Sequence, residues 1–505
     1  MTLIPVTLPP GLERNNGPYD TPGRFWDMNQ VRWQSGSMRQ IGGWNRLTGS
    51  VLDGAVRKIF SYRDNSNQLH TLVGTDEKLY CDTGGYTDIT PDAFVPLSNI
   101  GVSGGYGTFT YGTSTYGTAR PAPSPIFSPY AYWTFGSWGE DGILTANSDG
   151  RLFYYTTSTP TVAPIVISGA PTGNNSVLVT NERHVMAIGC TGAGDERTVA
   201  WSSSEDYTDW NFASTTNTAG FQQLSTSSPL TKGVRVREGV LIFSQSNVFL
   251  CTYVGLPYVY GFQAISNVEM MHPDSIATFN GNAVWLDREG FKIYSNGVVS
   301  ALDCPILNDV LEEMDPLYGT FRIHASHNGA FPEIWFFYPT TGETEANKYV
   351  MWNFSENWWG WGFLSRSAMF PSDVYQFPYM GDALGNMYQH EDGVMAAGQP
   401  MFQDTFVESG ALLLGNGDRF ADVNMMLIET DSQAMNSVSV AAYTQFTPLG
   451  AETVFGPYVP RADGYTDTRI NARSMRLRWA SVADGPWAVG VTSLDVAKQT
   501  GGQRR

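Results

Sequence analysis

A chain of 505 residues with a formal net charge of -18 is long for one simple core and too acidic to grip phosphate backbones through neutralising lysines and arginines. Aromatic residues at 13%, with 53 glycines and 28 prolines against 15% charged residues, tilt the class away from helices and towards strands joined by tight turns. The expected class is therefore all-β. Cys81, Cys190, Cys251 and Cys304 are too scattered for a zinc knuckle or a dense disulfide scaffold, and reduced, buried thiols are expected.

The opening MTLIPVTLPPGLERNN lacks a basic stretch followed by a long apolar run, and no later stretch reaches the length of a membrane span. Folding in the cytoplasm, without stable membrane insertion, is the expectation. RFWDMNQVRWQSGSMRQIGGW follows and reads as an early strand pair. From Leu69 onward one pattern recurs: a short apolar run, a polar Gly/Asn/Asp turn, then a second run rich in aromatics. Clear copies are LHTLVGTDEKLY, GILTANSDGRLFYY, GVLIFSQSNVFL and NAVWLDREGFKIY, and weaker ones start near His184, Glu333 and Gly381. The second runs centre on Tyr80, Tyr154, Trp201, Leu250, Ile293, Met351 and Tyr388. Most steps between them lie near the roughly 40 to 50 residues of one propeller blade, a sheet whose faces only its neighbours can cover.

A Gly, Tyr, Pro and Ser-rich insertion at about 91–138 lengthens the first step and reads as a loop or arm. Within it Tyr106, Tyr111 and Tyr116 each open a Tyr-Gly-Thr unit, with a period of five that matches neither strand nor helix. They are candidate subunit contacts, the alternative being a solvent-facing flexible loop. VAWSSSEDYTDW partly resembles the S-x-D-x-G-x-T-W turn of sialidase-type propellers, but Glu205, Tyr207 and Asp209 stand where that pattern has Asp, Gly and Thr or Ser. Pro305 opens a helix with Ile306, Leu307, Val310, Leu311 and Met314 on one face, Asp303 available as a cap, and Glu312 and Glu313 on the solvated side. Tyr132, Trp133 and Trp138, and later Trp358, Trp359 and Trp361, are aromatic clusters for packing between blades or for stacking on a sugar or another subunit. Residues 1–398 are grouped as the propeller-like repeat domain. Residues 399–505, with longer alternating segments, are expected to form an appended β-sandwich or sheet.

Signatures of chemistry are sparse. No GxxxxGK[ST], HExxH or convincing GxGxxG opening a helix occurs, and His324 and His327 are two ligands where a metal needs more. No catalytic, cofactor or metal residue is assigned, and no cofactor is expected. A glycosidase would need a carboxylate pair, and the 48 acidic residues offer many without marking one.

The opening strand pair with its closing Gly-Trp, the YGTFTYGTSTYGT insertion, AWSSSEDYTDW and the terminal RSMRLRWAS and PWAVGVTSLDV together resemble the tail hub or packaged-DNA stabilisation proteins of short-tailed bacteriophages. The resemblance implies a six- or seven-bladed propeller in a homo-oligomeric ring, sixfold, at the head-to-tail junction or tail nozzle of the virion. Its partners would be the portal, adaptor and distal tail proteins, with phage DNA passing through the lumen without sequence-specific binding. The role would be mechanical, with ring interfaces that close by rotation and an acidic lumen that a polyanion does not adhere to. The rival reading is a propeller that binds or hydrolyses host surface polysaccharide, and a bacterial propeller scaffold is a third.

Overall fold

A computed structural model of the chain describes residues 3–14, 17–47, 49, 51–99, 131–401, 403–414, 420–430, 437–445 and 450–498. Seven antiparallel sheets of the repeat follow one another along it, each built from the inside outward. Blade 1 starts with the inner strand Val56–Arg63, blade 2 with Trp133–Trp138, blade 3 with Ser176–Val179 and blade 4 with Leu230–Val236. Blades 5, 6 and 7 start with Ile276–Phe279, His324–Asn328 and Ala368–Phe370. Inner strands of successive blades touch, and that of blade 7 packs on that of blade 1, so the ring is closed. All seven anchors of the sequence repeat fall on the third strand of a blade, from Tyr80 in Leu79–Asp82 to Tyr388 in Met387–His390.

The strands are apolar because neighbouring blades cover both of their faces. Every residue of Glu333–Tyr338, the second strand of blade 6, is buried, and Trp285 of blade 5 meets Phe243 of blade 4 edge to face at 5.2 Å. Asn280-Gly281 and Asn296-Gly297 each link two strands of blade 5 with both central residues at positive φ. This is the hairpin geometry that suits strand twist and favours Asn-Gly. Where adjacent blades come closest a side chain can be excluded altogether. A Cβ on Gly233 would meet methyl groups of Ile188 and Leu178 at 2.4 Å.

Blade 7 is completed from the other end of the chain. Trp44–Arg46 pairs antiparallel with Met387–His390 as its fourth strand, with His390 opposite Trp44. The strands before it belong elsewhere. Leu3–Val6, Val31–Gln34 and Ser37–Gln40 join Ala421–Thr430, Tyr465–Ala472 and Ala488–Lys498 in one sheet of a sandwich. Phe25–Asn29 joins Phe406–Ser409, Val438–Gln445, Glu452–Tyr458 and Ser474–Ser481 in the other. The first forty residues, grouped with the propeller on sequence order, thus pair with strands some four hundred residues away, an adjacency that no local pattern encodes.

Two other expectations are corrected. Trp133–Trp138, assigned to the end of the insertion, is the inner strand of blade 2; its glycine and serine read as loop, yet a Cβ on Gly136 would meet Val179 at 3.0 Å. The helix runs Leu307–Glu313 with Ile306 at its start, no side chain caps it, and Asp303 is exposed. Ile306, Val310 and Met314 do form its buried face.

Candidate functional site

Among the described residues, charged side chains gather out of water at the joint between propeller and sandwich, at the axis of the propeller and within the sandwich, and the first two bring distant units together. At the joint, Arg32 of the sandwich strand Val31–Gln34 reaches blade 6. Its Nε lies 2.9 Å from Glu333 Oε1, and its Nη atoms donate to Glu391 at 2.6 and 2.8 Å and to Glu333 Oε2 at 3.0 Å. All three side chains are at most 7% exposed. The Gly42 amide, the Asn328 amide group and the Trp335 indole donate to the remaining carboxylate positions. Burial raises the Glu333 carboxyl above its ordinary range, opposed by Arg32 and reinforced by Glu391. Nearby, the Trp361 indole donates to Asp27 Oδ1 at 2.8 Å, Phe363 N to Asn29 Oδ1 at 2.7 Å and Leu12 N to Trp359 O at 2.8 Å. One hydrophobic core runs through both units, from Trp335 and Trp359 in blade 6 to Trp33 and Trp479 in the sandwich.

Along the axis, the inner strands of blades 1 to 5 line a cavity of about 350 Å³. Phe60 and Phe135 stack on its wall, with centroids 5.5 Å apart and planes within 7°. At one end, Lys232 of blade 4 donates to Asp274 Oδ1 in a short contact, and Lys58 Nζ of blade 1 lies 3.9 Å from the same oxygen. Asp274 sits in the short turn Pro273–Ser275 that leads into blade 5, its amide donating to His272 Nδ1 at 2.9 Å. Burial works against the Asp274 carboxylate, but the Lys232 and Lys58 ammoniums hold its pKa well below the usual range. Burial lowers Lys58 to about 8, with Lys232 adding to the shift and Asp274 opposing it. His272 and His324, buried beside them, are pushed down to about 3 and are neutral at pH 7. Behind this layer Arg57 donates to Glu345 at 2.7 and 2.8 Å, with Asp76 and Arg322 completing a balanced cluster.

The residues singled out from the sequence divide. Tyr106, Tyr111 and Tyr116 lie outside the described residues. Trp358, Trp359 and Trp361, with Tyr132, Trp133 and Trp138, are at most 8% exposed and pack in the interior. His324 and His327 are three apart on a strand and so face opposite sides, stacking on Phe337 and lying against Phe354. Glu312 is exposed, and Glu313 accepts a bond from Lys348. The AWSSSEDYTDW turn is held without the missing glycine. Glu205 takes positive φ, Asp206 accepts from Thr208, and Tyr207 stacks on Tyr154 at 4.3 Å. The four cysteines are free and buried, and burial pushes the Cys190 and Cys251 thiols up to about 12.

Sequence reasoning missed Lys58, Lys232 and Arg235. The signal available was the cations in VRKIFSYR and LTKGVRV, each the opening run of a blade.

No family model matches the sequence, and no curated protein matches it. Among solved structures, 70% of the chain is similar to 95% of the Neurospora crassa Pan2 WD40 domain, with 10% identity and a TM-score of 0.40. It is also similar to YCF48 bound to D1 peptide, over 71% of this chain and 98% of that one, with 8% identity and a TM-score of 0.39. A third likeness is to a catalytically inactive virginiamycin B lyase of Staphylococcus aureus with quinupristin, over 70% and 96%, with 8% identity and a TM-score of 0.34. The chain is a β-propeller protein. Among the described residues, seven blades and a sandwich share the N-terminal segment.

Proposed function

We propose that the chain is a structural subunit of a short-tailed bacteriophage virion, one of a ring at the head-to-tail junction or tail nozzle that retains packaged DNA and forms part of the ejection channel. The observation that carries this reading is the route of the N-terminal segment. It supplies four strands to the sandwich, then closes the propeller, with the buried Arg32 cluster at the crossing. Such threading couples two units into one body, which suits a subunit that transmits force without internal hinging.

The axial cavity of one propeller is far too small for a DNA duplex. The ejection channel would run between subunits, along faces that carry the excess acidic charge. Many buried charges are spent as staples between distant strands, among them Arg32 with Glu333 and Glu391 and Arg476 with Glu408 and Glu452.

The test is negative-stain electron microscopy of the purified chain, alone and mixed with portal and adaptor proteins of a short-tailed phage that encodes it. Rings, or a new layer on the portal, are expected. Persistent monomers that ignore the portal, together with cleavage of host polysaccharide, would overturn the reading in favour of a glycan-acting propeller.

A further inference from the structure

The propeller axis carries an imbalance that the packing itself does not require. In a chain of net charge -18, the cavity between the inner strands is lined by Lys58, Lys232 and Arg235. Asp274 is the carboxylate set against the two lysines, and it serves both with one oxygen. Arg235 stands three residues beyond Lys232 on the same strand, so its side chain leaves the opposite face. It is exposed, and among the described residues it has no carboxylate within 4 Å, Glu182 acting on it from further off. Buried cations in proteins are ordinarily matched one for one, because an unmatched ammonium in a low-dielectric site loses its hydration without return. Here two lysines meet one carboxylate oxygen beside an open space of about 350 Å³. The buried histidines His272 and His324 add no charge at neutral pH.

We propose that this axial cavity is a binding site for a phosphate dianion, either free phosphate or the phosphate of a small organic monoester. Lys58 and Lys232 would donate to its oxygens at one end. Lys232 keeps Asp274 as its partner, so that Lys58 holds the free donor positions. Phe60 and Phe135, a stacked pair that lines the same cavity, present an aromatic surface on which the flat ring of a monoester such as a nucleotide can rest. The site is independent of the ring reading, because it lies inside one propeller and needs no second subunit.

Calorimetric titration of the full chain with inorganic phosphate and, separately, with adenosine monophosphate, at ionic strength matched with chloride, tests the site. Saturable binding of one dianion per chain is expected, with Lys58→Met weakening it about tenfold or more, the loss of one charge-assisted contact. Removing Lys58 leaves Asp274 paired with Lys232, so the variant remains folded, which its melting curve checks. Binding of both probes with equal affinity assigns the site to free phosphate. Tighter binding of the nucleotide, lost in Phe135→Ala, assigns it to a monoester. Absence of saturable binding for either probe, or equal binding by the folded Lys58→Met variant, would overturn the proposal.

Discussion

Lys58 shows how a single side chain can work against the stability of its own fold. Its pKa lies near 8 in the folded chain and near its ordinary 10.5 when unfolded, so below pH 8 both states hold the proton and the folded state bears the full cost of a buried charge. Between about 8 and 10.5 the folded chain has released the proton and the unfolded chain has not, and stability rises with pH. Lys58→Met should therefore stabilise the protein at pH 7, on the order of 1 kcal/mol given partial exposure of the ammonium. The advantage over the natural chain should shrink as pH approaches 10. Parallel melting curves from pH 6 to pH 10 check this, and a variant no more stable at pH 7 would show that the ammonium is well solvated. Nothing in VRKIFSYR distinguishes such a lysine from one in solvent, because the partner Asp274 lies four blades away.

Elements differ in how much of themselves they announce. The Asn-Gly turns of blade 5 declare a hairpin in two letters, since both residues tolerate positive φ. The third strand of each blade announces itself by its aromatics. The inner strand Trp133–Trp138 does not, because the neighbouring blade's Val179 leaves no room for a side chain at Gly136, and glycine elsewhere marks loops. The joint was equally silent. Arg32, Glu333 and Glu391 are scattered over more than three hundred residues and meet only once the propeller has closed on the sandwich. Arg32→Met would leave two carboxylates buried without a cation, which should cost about 3–5 kcal/mol in urea unfolding. Protonation removes a stranded charge, and Glu333 already binds its proton above the ordinary value of 4.5, so the penalty should shrink as pH falls from neutral towards about 4.5. A penalty that stayed constant across that range would mean that neither carboxylate is stranded. Calorimetry of the same variant should also separate the propeller and sandwich transitions, which the natural joint couples.

At the scale of the whole molecule, the proposed ring requires that copies of the chain meet. The Tyr-Gly-Thr units are candidates for the bridging arm, and replacing Tyr106, Tyr111 and Tyr116 by Ser should weaken assembly while leaving the monomer folded. Sedimentation velocity reads both, and unchanged assembly would dismiss the arm. Composition, turn residues and the recurrence of paired apolar runs determined by themselves that the chain is all-β, built of blade-sized repeats and followed by a region of different rhythm. They did so because strand alternation, turn geometry and blade size are local properties. Only the tertiary structure decided that the described residues form seven blades, that the first forty residues belong with the last hundred, that Trp44–Arg46 closes the ring, and that two lysines face one aspartate on the axis. Each of these is a contact between segments far apart in sequence. Its energy depends on desolvation and neighbours that exist only in the folded chain.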